Sequence, residues 1–299
     1  MEDKIKKQKY KIIFSDLDKT LVINNHIPDF NLEAIKKARE LGTKFVISTG
    51  RDFALVTSLL KELDILNKEN EYTVCCSGSK IYENKDNKLI YIKYLNDDIV
   101  EEIFEFGKNY SDIFIIFDTL DGVYVYNEGK IDIKNEFGSY KYKKLESLKD
   151  MKDSKIIRIV FSCKNGPYLI KIQDEIKNKK LFENKADYFL TQNQFLEFNV
   201  KGVNKGEALK WLCDYLKIDI NESIAIGDSF NDESMIKIAG LGACVKSADD
   251  EIKKISKYVC EKDYFEGSVK EVIEKKNFQY IYLFVNLFKI RCIIMKIMK

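Results

Sequence analysis

The sequence predicts an α/β protein with a parallel-sheet core that is interrupted by an inserted α+β domain. Short apolar runs alternate with amphipathic stretches near both ends of the chain, as strands and helices do in parallel sheets. In the middle the alternation stops, and closely spaced strand-like runs with tight turns indicate antiparallel pairing. The length of 299 residues favours two domains.

The first part of the chain reads as strand, helix, strand, helix, strand. Buried strands are predicted from short apolar runs, and helices from apolar residues that recur on one face. The predicted strands are 10–16, 43–49 and 72–76, and the predicted helices are 31–42 and 52–63. Helices between strands imply right-handed crossovers and therefore a parallel sheet.

The strand and helix alternation returns from residue 204, with helices at 205–216, 232–239, 249–256 and 267–276 between short strands. The simplest account is one Rossmann-like core, 1–82 and 188–277, into which an α+β cap, 83–187, is inserted.

The tail, 278–299, is apolar from Phe278 to Phe288 and then basic. Its uncharged run of about eleven residues is shorter than the ~20 of a transmembrane helix. A docked helix or an extension is favoured over membrane contact.

Composition narrows the classes of partner and mechanism. The chain carries 50 basic and 48 acidic residues, a net charge of +2, so nothing global points to nucleic acid as a partner. Seven cysteines form no CxxC pair, which indicates free thiols in a reducing cytoplasm. His26 is the single histidine, which excludes mechanisms that need two.

Two carboxylates, Asp16 and Asp18, directly follow the first predicted strand. In open α/β sheets this is the edge where ligands bind. Like charges so close together are unfavourable unless a cation or a proton relieves their repulsion. The pair therefore suggests a hard metal ion, a carboxylate nucleophile, or both.

Three further clusters follow at ends of predicted elements: Ser48-Thr49-Gly50-Arg51, Asn204-Lys205-Gly206, and Gly227-Asp228-Ser229-Phe230-Asn231-Asp232. Together the four clusters supply the parts of phosphoryl transfer: a carboxylate nucleophile, a proton donor, a hydroxyl and a lysine for phosphate, and acids for Mg²⁺. Each cluster alone is weak, since a strand-end turn or a helix cap explains it equally well. The order of the four clusters along the chain makes the prediction of phosphoryl transfer more specific than any single cluster does.

That order resembles the haloacid dehalogenase (HAD) superfamily, and most of all its Cof-type phosphatases with a type IIB cap. The resemblance covers residues 10 to about 276. It rests on Asp16-x-Asp18-x-Thr20-Leu21, Thr49-Gly50-Arg51, Lys205-Gly206-x-Ala208-Leu209 and Gly227-Asp228-x-x-Asn231-Asp232. It implies a phosphoric monoester hydrolase whose cap sets substrate specificity.

The resemblance also implies a role for each matching residue. Asp16 resembles the nucleophile that forms an aspartyl-phosphate, and Asp18 the general acid and base, whose backbone carbonyl also binds Mg²⁺. The phosphate-binding residues are expected to be Thr49 with Gly50, Lys205 and Asn231, the last contacting phosphate or Lys205. The metal is expected on Asp16, Asp18, Asp228 and Asp232.

The leading hypothesis is a cytoplasmic, Mg²⁺-dependent phosphatase acting on small phosphorylated metabolites: sugar phosphates, phosphorylated cofactors or nucleotides. The nearest enzymatic alternative is a phosphomutase that uses the same aspartyl-phosphate. A response-regulator receiver shares the acidic pair, the hydroxyl and the lysine, but there the acceptor ends the third strand and the module is much shorter. A catalytically silent phosphate-binding fold is disfavoured because all candidate catalytic groups are present.

Overall fold

The computed structural model describes residues 10–277, except 129–141, 152, 164–165 and 192–193. The chain divides into two compact units, Met1–Ile90 with Asn204–Lys299, and Tyr91–Val203. We refer to the first unit as the core and to the second as the cap. The prediction for the tail 278–299 lies outside the described residues.

The bounds of the regular elements follow in chain order. The strands are β1 (Ile12–Ser15), β2 (Lys44–Ser48), β3 (Tyr72–Cys75), β4 (Lys80–Glu83), β5 (Lys88–Ile92), β6 (Phe114–Thr119), β7 (Gly122–Tyr126), β8 (Tyr142–Leu145), β9 (Ile156–Ser162), β10 (Ala186–Thr191), β11 (Phe195–Val200), β12 (Ser223–Gly227), β13 (Leu241–Cys244) and β14 (Tyr258–Val259). The helices are α1 (Asp29–Glu40), α2 (Phe53–Glu62), α3 (Asp97–Lys108), α4 (Gly166–Asn178), α5 (Lys205–Leu216), α6 (Glu233–Ile238), α7 (Asp250–Ile255) and α8 (Ser268–Val272).

The core contains an eight-stranded sheet in the order β14-β13-β12-β1-β2-β3-β4-β5. The strands from β14 to β3 are parallel, and β4 runs antiparallel to β3. β1 lies centrally, and its residues Ile12, Ile13 and Phe14 are fully buried. A parallel strand covered on both faces is apolar throughout, which explains the continuous run in the sequence. The predicted α/β fold is thus confirmed.

Both predicted limits of the inserted domain differ from the structure. The cap was predicted to start at residue 83, but the core continues to Ile90. The reason is that β4 pairs with β3 and β5 extends the same sheet. The core resumes at Asn204 rather than at 188, because β10 and β11 belong to the cap sheet, where β11 pairs with β9. Strand patterns in the sequence do not reveal which sheet a strand joins.

The cap contains a six-stranded sheet in the order β10-β11-β9-β6-β7-β8. Helices α3 and α4 contribute to the main apolar cluster on one face of this sheet, through residues such as Ile103, Leu169 and Ile172. The predicted α+β character of the insert follows from this layer of helices on a largely antiparallel sheet.

Helix ends differ from their predicted positions by a few residues. The predicted helix 31–42 begins earlier, at Asp29 after Pro28, and ends at Glu40. The predicted helix 267–276 is helical to Val272 and continues as a π-helical turn, Ile273–Asn277. Among the described residues, no helix is long and apolar enough to cross a membrane.

Candidate active site

The four predicted clusters meet at one edge of the core sheet. Asp16 follows β1, Thr49 follows β2 and Asp228 follows β12, and these three strands are parallel neighbours. The Asp16 backbone N–H donates to the Ile226 carbonyl at 2.9 Å, which continues the β1–β12 pairing up to the candidate site. Because carboxyl ends of parallel strands lie together, residues more than 200 positions apart become neighbours here.

Lys205 lies at the centre of the cluster and is fully buried. Its Nζ donates to Asp16 Oδ1 at 2.5 Å and to Asp232 Oδ1 at 2.6 Å. Burial alone lowers the pKa of Lys205, but the charges of Asp16 and Asp232 outweigh it and raise the pKa above its ordinary value. Lys205 therefore stays charged and links the first cluster to the fourth.

Asp232 acts through both of its oxygens. While Oδ1 accepts from Lys205, Oδ2 accepts from the backbone N–H groups of Asp228 at 3.0 Å and Ser229 at 3.3 Å. A Cβ on Gly227 would lie 2.4 Å from the Asp232 side chain, so only glycine allows this approach. Asp232 thus fixes both the lysine and the turn that carries Asp228.

Three carboxylates form a candidate metal site. Asp16, Asp228 and Asp232 each offer an oxygen within 4.8 Å of the others. Burial, with the charge of Asp232 next in importance, raises the pKa of Asp228 to about 7 and that of Asp16 well above its usual range. One lysine leaves these charges uncompensated, and hard carboxylate oxygens are the ligands that Mg²⁺ prefers. The residues present therefore fit this ion.

Thr20 is a member of the site to which the sequence assigned no role. Its Oγ1 donates to Asp228 Oδ1 at 3.2 Å, and its side chain is fully buried. This contact orients a candidate metal ligand. Thr20 was recognisable as part of the first motif because it lies two residues after Asp18. Nothing in the sequence indicated that it would bond to Asp228.

Thr49 lies at the end of β2 and is 1% exposed. Its Oγ1 accepts from the Arg51 N–H at 3.1 Å, so its own hydroxyl hydrogen is available for a phosphate oxygen. The neighbouring Ser48 Oγ is buried without a partner among the described residues. A Cβ on Gly50 would lie 3.4 Å from Ser77 Oγ, an ordinary contact, so packing alone does not require glycine there.

The Asp18 carboxylate lies outside the acidic cluster and pairs with Arg51. Arg51 donates through Nε at 3.1 Å and through Nη2 at 2.5 Å, a bidentate arrangement, and its Nη1 donates to Asn25 Oδ1 at 2.5 Å. The Asp18 side chain is 49% exposed. The sequence motif contained Arg51 but did not indicate that it holds the candidate proton carrier.

Within the protein, Asn231 was predicted to contact Lys205, but the structure shows another partner. Its Oδ1 accepts from Ser229 Oγ at 2.9 Å, whereas the described bonds of Lys205 Nζ go to Asp16 and Asp232. A phosphate contact for Asn231 remains a prediction.

Gly78 fixes the start of α5 and hence Lys205. It has a φ of +104°, and a Cβ there would lie 2.3 Å from the Asn204 carbonyl oxygen. The same turn is bonded to the Thr49 loop, because the Ser77 N–H donates to the Thr49 carbonyl at 3.0 Å. The turn therefore connects the candidate phosphate hydroxyl with the lysine.

We expect Gly78→Ala to destabilise the protein by about 3 kcal/mol, from backbone strain together with steric overlap against Asn204. Gly42→Ala is the matched control, since Gly42 also has a positive φ, +93°, but no atom lies within 4 Å of its added Cβ. The control should cost only about 1 kcal/mol. Urea denaturation measures both values, and equal losses would contradict the role of the Asn204 contact.

The comparisons with known proteins agree with this geometry. A family model described as haloacid dehalogenase-like hydrolase matches residues 13–273. The chain belongs to this family. Within it, the chain is a Cof-type phosphatase, as the sequence predicted.

Two curated relatives align along most of the chain. The phosphoglycolate phosphatase of Methanobrevibacter smithii is 30% identical, covering 87% of this chain and 95% of the relative. The 5-amino-6-(5-phospho-D-ribitylamino)uracil phosphatase of Bacillus subtilis is 26% identical, covering 88% and 94%. Each of these two names gives a small phosphorylated compound as the substrate of that relative.

Solved structures share the fold. A haloacid dehalogenase-like hydrolase from Bacteroides thetaiotaomicron has a TM-score of 0.75 and 26% identity, covering 89% of this chain and 99% of that one. A sugar phosphatase of HAD subclass IIB has a TM-score of 0.72 and 19% identity, covering 89% of this chain and 98% of that one.

Proposed function

We propose that the protein is a Mg²⁺-dependent phosphatase that hydrolyses small phosphorylated metabolites through an aspartyl-phosphate intermediate. The observation that supports this most is the fully buried Lys205, bonded to both Asp16 and Asp232 beside a third carboxylate, Asp228. A structural ion pair needs one acid for one lysine. Three acids around one lysine are costly unless a bound cation compensates the remaining negative charge.

In the first proposed step, an Asp16 oxygen attacks phosphorus and the bond from phosphorus to the ester oxygen breaks. Asp18, in its protonated form, gives its proton to the leaving oxygen. In the second step Asp18 takes a proton from water as the water oxygen attacks phosphorus, and the bond to Asp16 breaks. Inorganic phosphate leaves, and both aspartates return to their initial states.

The other side chains bind and orient in this proposal. Lys205 bonds one oxygen of Asp16 and offsets the charge of the phosphoryl group, and Thr49 donates its hydroxyl hydrogen to a phosphate oxygen. Asp16, Asp228 and Asp232 would hold Mg²⁺ together with the Asp18 carbonyl, and the ion would neutralise charge that develops on the transferring group. Asp18 exchanges its Arg51 partner for the leaving oxygen.

Hydrolysis is favoured over the phosphomutase alternative because the two curated relatives described above are named phosphatases. Their names differ in the organic part of the substrate, a carboxylic acid in one and a ribityl-substituted pyrimidine in the other. A small phosphate monoester is the class common to both. Cytoplasmic location is part of the proposal, supported by the free, buried thiols of Cys213, Cys244 and Cys260.

We expect removal of Mg²⁺ by a chelator to abolish turnover of p-nitrophenyl phosphate, and added Mg²⁺ to restore it. The ion should also stabilise the fold, by about 2.7 kcal/mol at a concentration one hundred times its dissociation constant. Calorimetric unfolding with and without Mg²⁺ measures this effect.

Asp228→Asn should lose most of that stabilisation because it removes one charged ligand from the cluster. Asp250→Asn is the matched control. Because the Asp250 side chain is 84% exposed, this variant should gain as much stability from Mg²⁺ as wild type does. The proposed metal site is wrong if Asp228→Asn and wild type gain equal stability from Mg²⁺.

A further inference from the structure

The turn between β3 and β4 has a backbone conformation that its residues rarely adopt. Cys76, Ser77 and Gly78 have φ values of +50°, +53° and +104°. Hairpin turns often need such left-handed residues, but glycine, asparagine and aspartate adopt this conformation at a lower cost than cysteine or serine. Because strained residues concentrate at functional sites, this turn indicates a role beyond the connection of two strands.

Neighbouring groups hold the turn in its strained conformation. The Ser77 N–H donates to the Thr49 carbonyl at 3.0 Å. A buried ion pair supports the turn from the side of α2, where Lys80 Nζ donates to Asp52 Oδ2 at 2.6 Å. Cys76 Sγ donates to the same carboxylate oxygen at 3.6 Å. The backbone and the side chains thus both fix the turn against the loop that carries Thr49.

The turn lies between two elements that the proposed function assigns to phosphate. On one side, Ser77 Oγ lies 3.4 Å from a Cβ placed on Gly50, the residue after Thr49. On the other side, a Cβ on Gly78 would lie 3.2 Å from the backbone nitrogen of Lys205. The Ser77 hydroxyl is therefore beside the Thr49 loop and one residue away from the contact with the start of α5.

The Ser77 hydroxyl has no hydrogen-bond partner among the described residues, although Ser77 is only 7% exposed. Polar groups so deeply buried are normally bonded. The hydroxyl hydrogen of Thr49 is also available, and the Gly50 backbone N–H has no acceptor in the described part of the chain. Three donors on two adjoining loops suit an anion, whose oxygens can accept from each of them.

We propose that Ser77 is a further phosphate-binding residue, whose hydroxyl donates to an oxygen of the phosphoryl group beside Thr49 and Gly50. This inference rests on the proposed phosphatase function. The strained turn is retained because it directs this hydroxyl toward the Thr49 loop. The contact is to the phosphoryl group that all substrates share, so its strength does not depend on the organic part of the substrate.

The test compares Ser77→Ala with Ser79→Ala in the full-length protein loaded with Mg²⁺. The Ser79 hydroxyl, in the same β3–β4 connection, also lacks a partner among the described residues, but Ser79 is fully buried and beyond the reach of a ligand. Isothermal titration calorimetry measures the binding of inorganic phosphate. We expect its dissociation constant to rise about tenfold in Ser77→Ala, because a hydrogen bond to a charged group is lost, and to keep the wild-type value in Ser79→Ala.

Kinetics and thermal unfolding of Ser77→Ala give the second measurement. KM should rise by the same factor for p-nitrophenyl phosphate and for glycerol phosphate, with kcat unchanged, because the lost contact is to the group that both substrates carry. The melting temperature should not fall, because the Ser77 hydroxyl gives up no hydrogen bond to another described residue.

The phosphate contact is overturned if Ser77→Ala binds inorganic phosphate as tightly as wild type. It is also overturned if Ser79→Ala loses as much affinity, since the loss would then come from the packing of the turn. A rise in KM for one of the two substrates alone has the same consequence, because the contact would then be to the organic part. If wild type binds inorganic phosphate through Ser77 but does not hydrolyse p-nitrophenyl phosphate, the proposed function fails and the phosphate contact stands.

Discussion

Asp16→Asn is expected to lower turnover of p-nitrophenyl phosphate by about 10⁴-fold or more, because an amide oxygen cannot replace the carboxylate as nucleophile. The fold should persist. Asp16 is buried with two other carboxylates, so removing its charge reduces repulsion, while an amide oxygen still accepts from Lys205. Steady-state kinetics and thermal unfolding of the same preparation measure both effects.

Asp29→Asn is the matched control for this variant, since Asp29 is exposed in the first turn of α1. It should retain wild-type turnover. The mechanism is excluded if Asp16→Asn, folded and loaded with Mg²⁺, turns over at the wild-type rate. Trapping with acid after mixing wild type with substrate should yield a phosphorylated protein, and none should form with Asp16→Asn.

Lys205→Met is expected to abolish activity and also to destabilise the protein by about 3–5 kcal/mol in the absence of Mg²⁺. The substitution keeps most of the side-chain volume but leaves Asp16 and Asp232 buried without their shared cation. Denaturant unfolding measures the loss. A folded, active Lys205→Met variant would contradict both the structural and the catalytic role of this lysine.

Two further variants separate the two roles of Lys205. Lys210→Met, at an exposed position of the same helix, should leave stability and activity near wild type. Adding Asp232→Asn to Lys205→Met should recover part of the lost stability, since one of the unpaired buried charges is then removed. It should not recover activity, because the phosphate-binding cation is still absent.

Much of the candidate site could be predicted because its residues lie in short motifs at strand ends. An apolar run followed by Asp16 fixes the position of that carboxylate in any parallel sheet, whatever the rest of the chain does. The same holds for Thr49 after β2 and Asp228 after β12. The sequence therefore predicted which residues approach one another, and the structure brings Asp16, Lys205, Asp228 and Asp232 together.

The interactions of the side chains were less predictable. Arg51 and Asn25 hold the Asp18 carboxylate, and Thr20 orients Asp228, through contacts that depend on rotamers and on loop conformation. The limits of the cap were missed for a related reason. β5 and β10 have similar strand patterns, yet one joins the core sheet and the other the cap sheet. Pairing between strands is a long-range choice that local hydrophobicity does not encode.

The sequence by itself determined the parallel-sheet core, the order of the four motifs and the family to which they belong, because periodicity and residue type are local properties. Only the tertiary structure decided that one lysine bonds two aspartates from different motifs, and that Asp18 pairs with Arg51. It alone showed that the buried Asn199 amide has no hydrogen-bond partner among the described residues. Burial, charge compensation and unsatisfied hydrogen bonds arise only when distant segments pack together, which is why the sequence could not supply them.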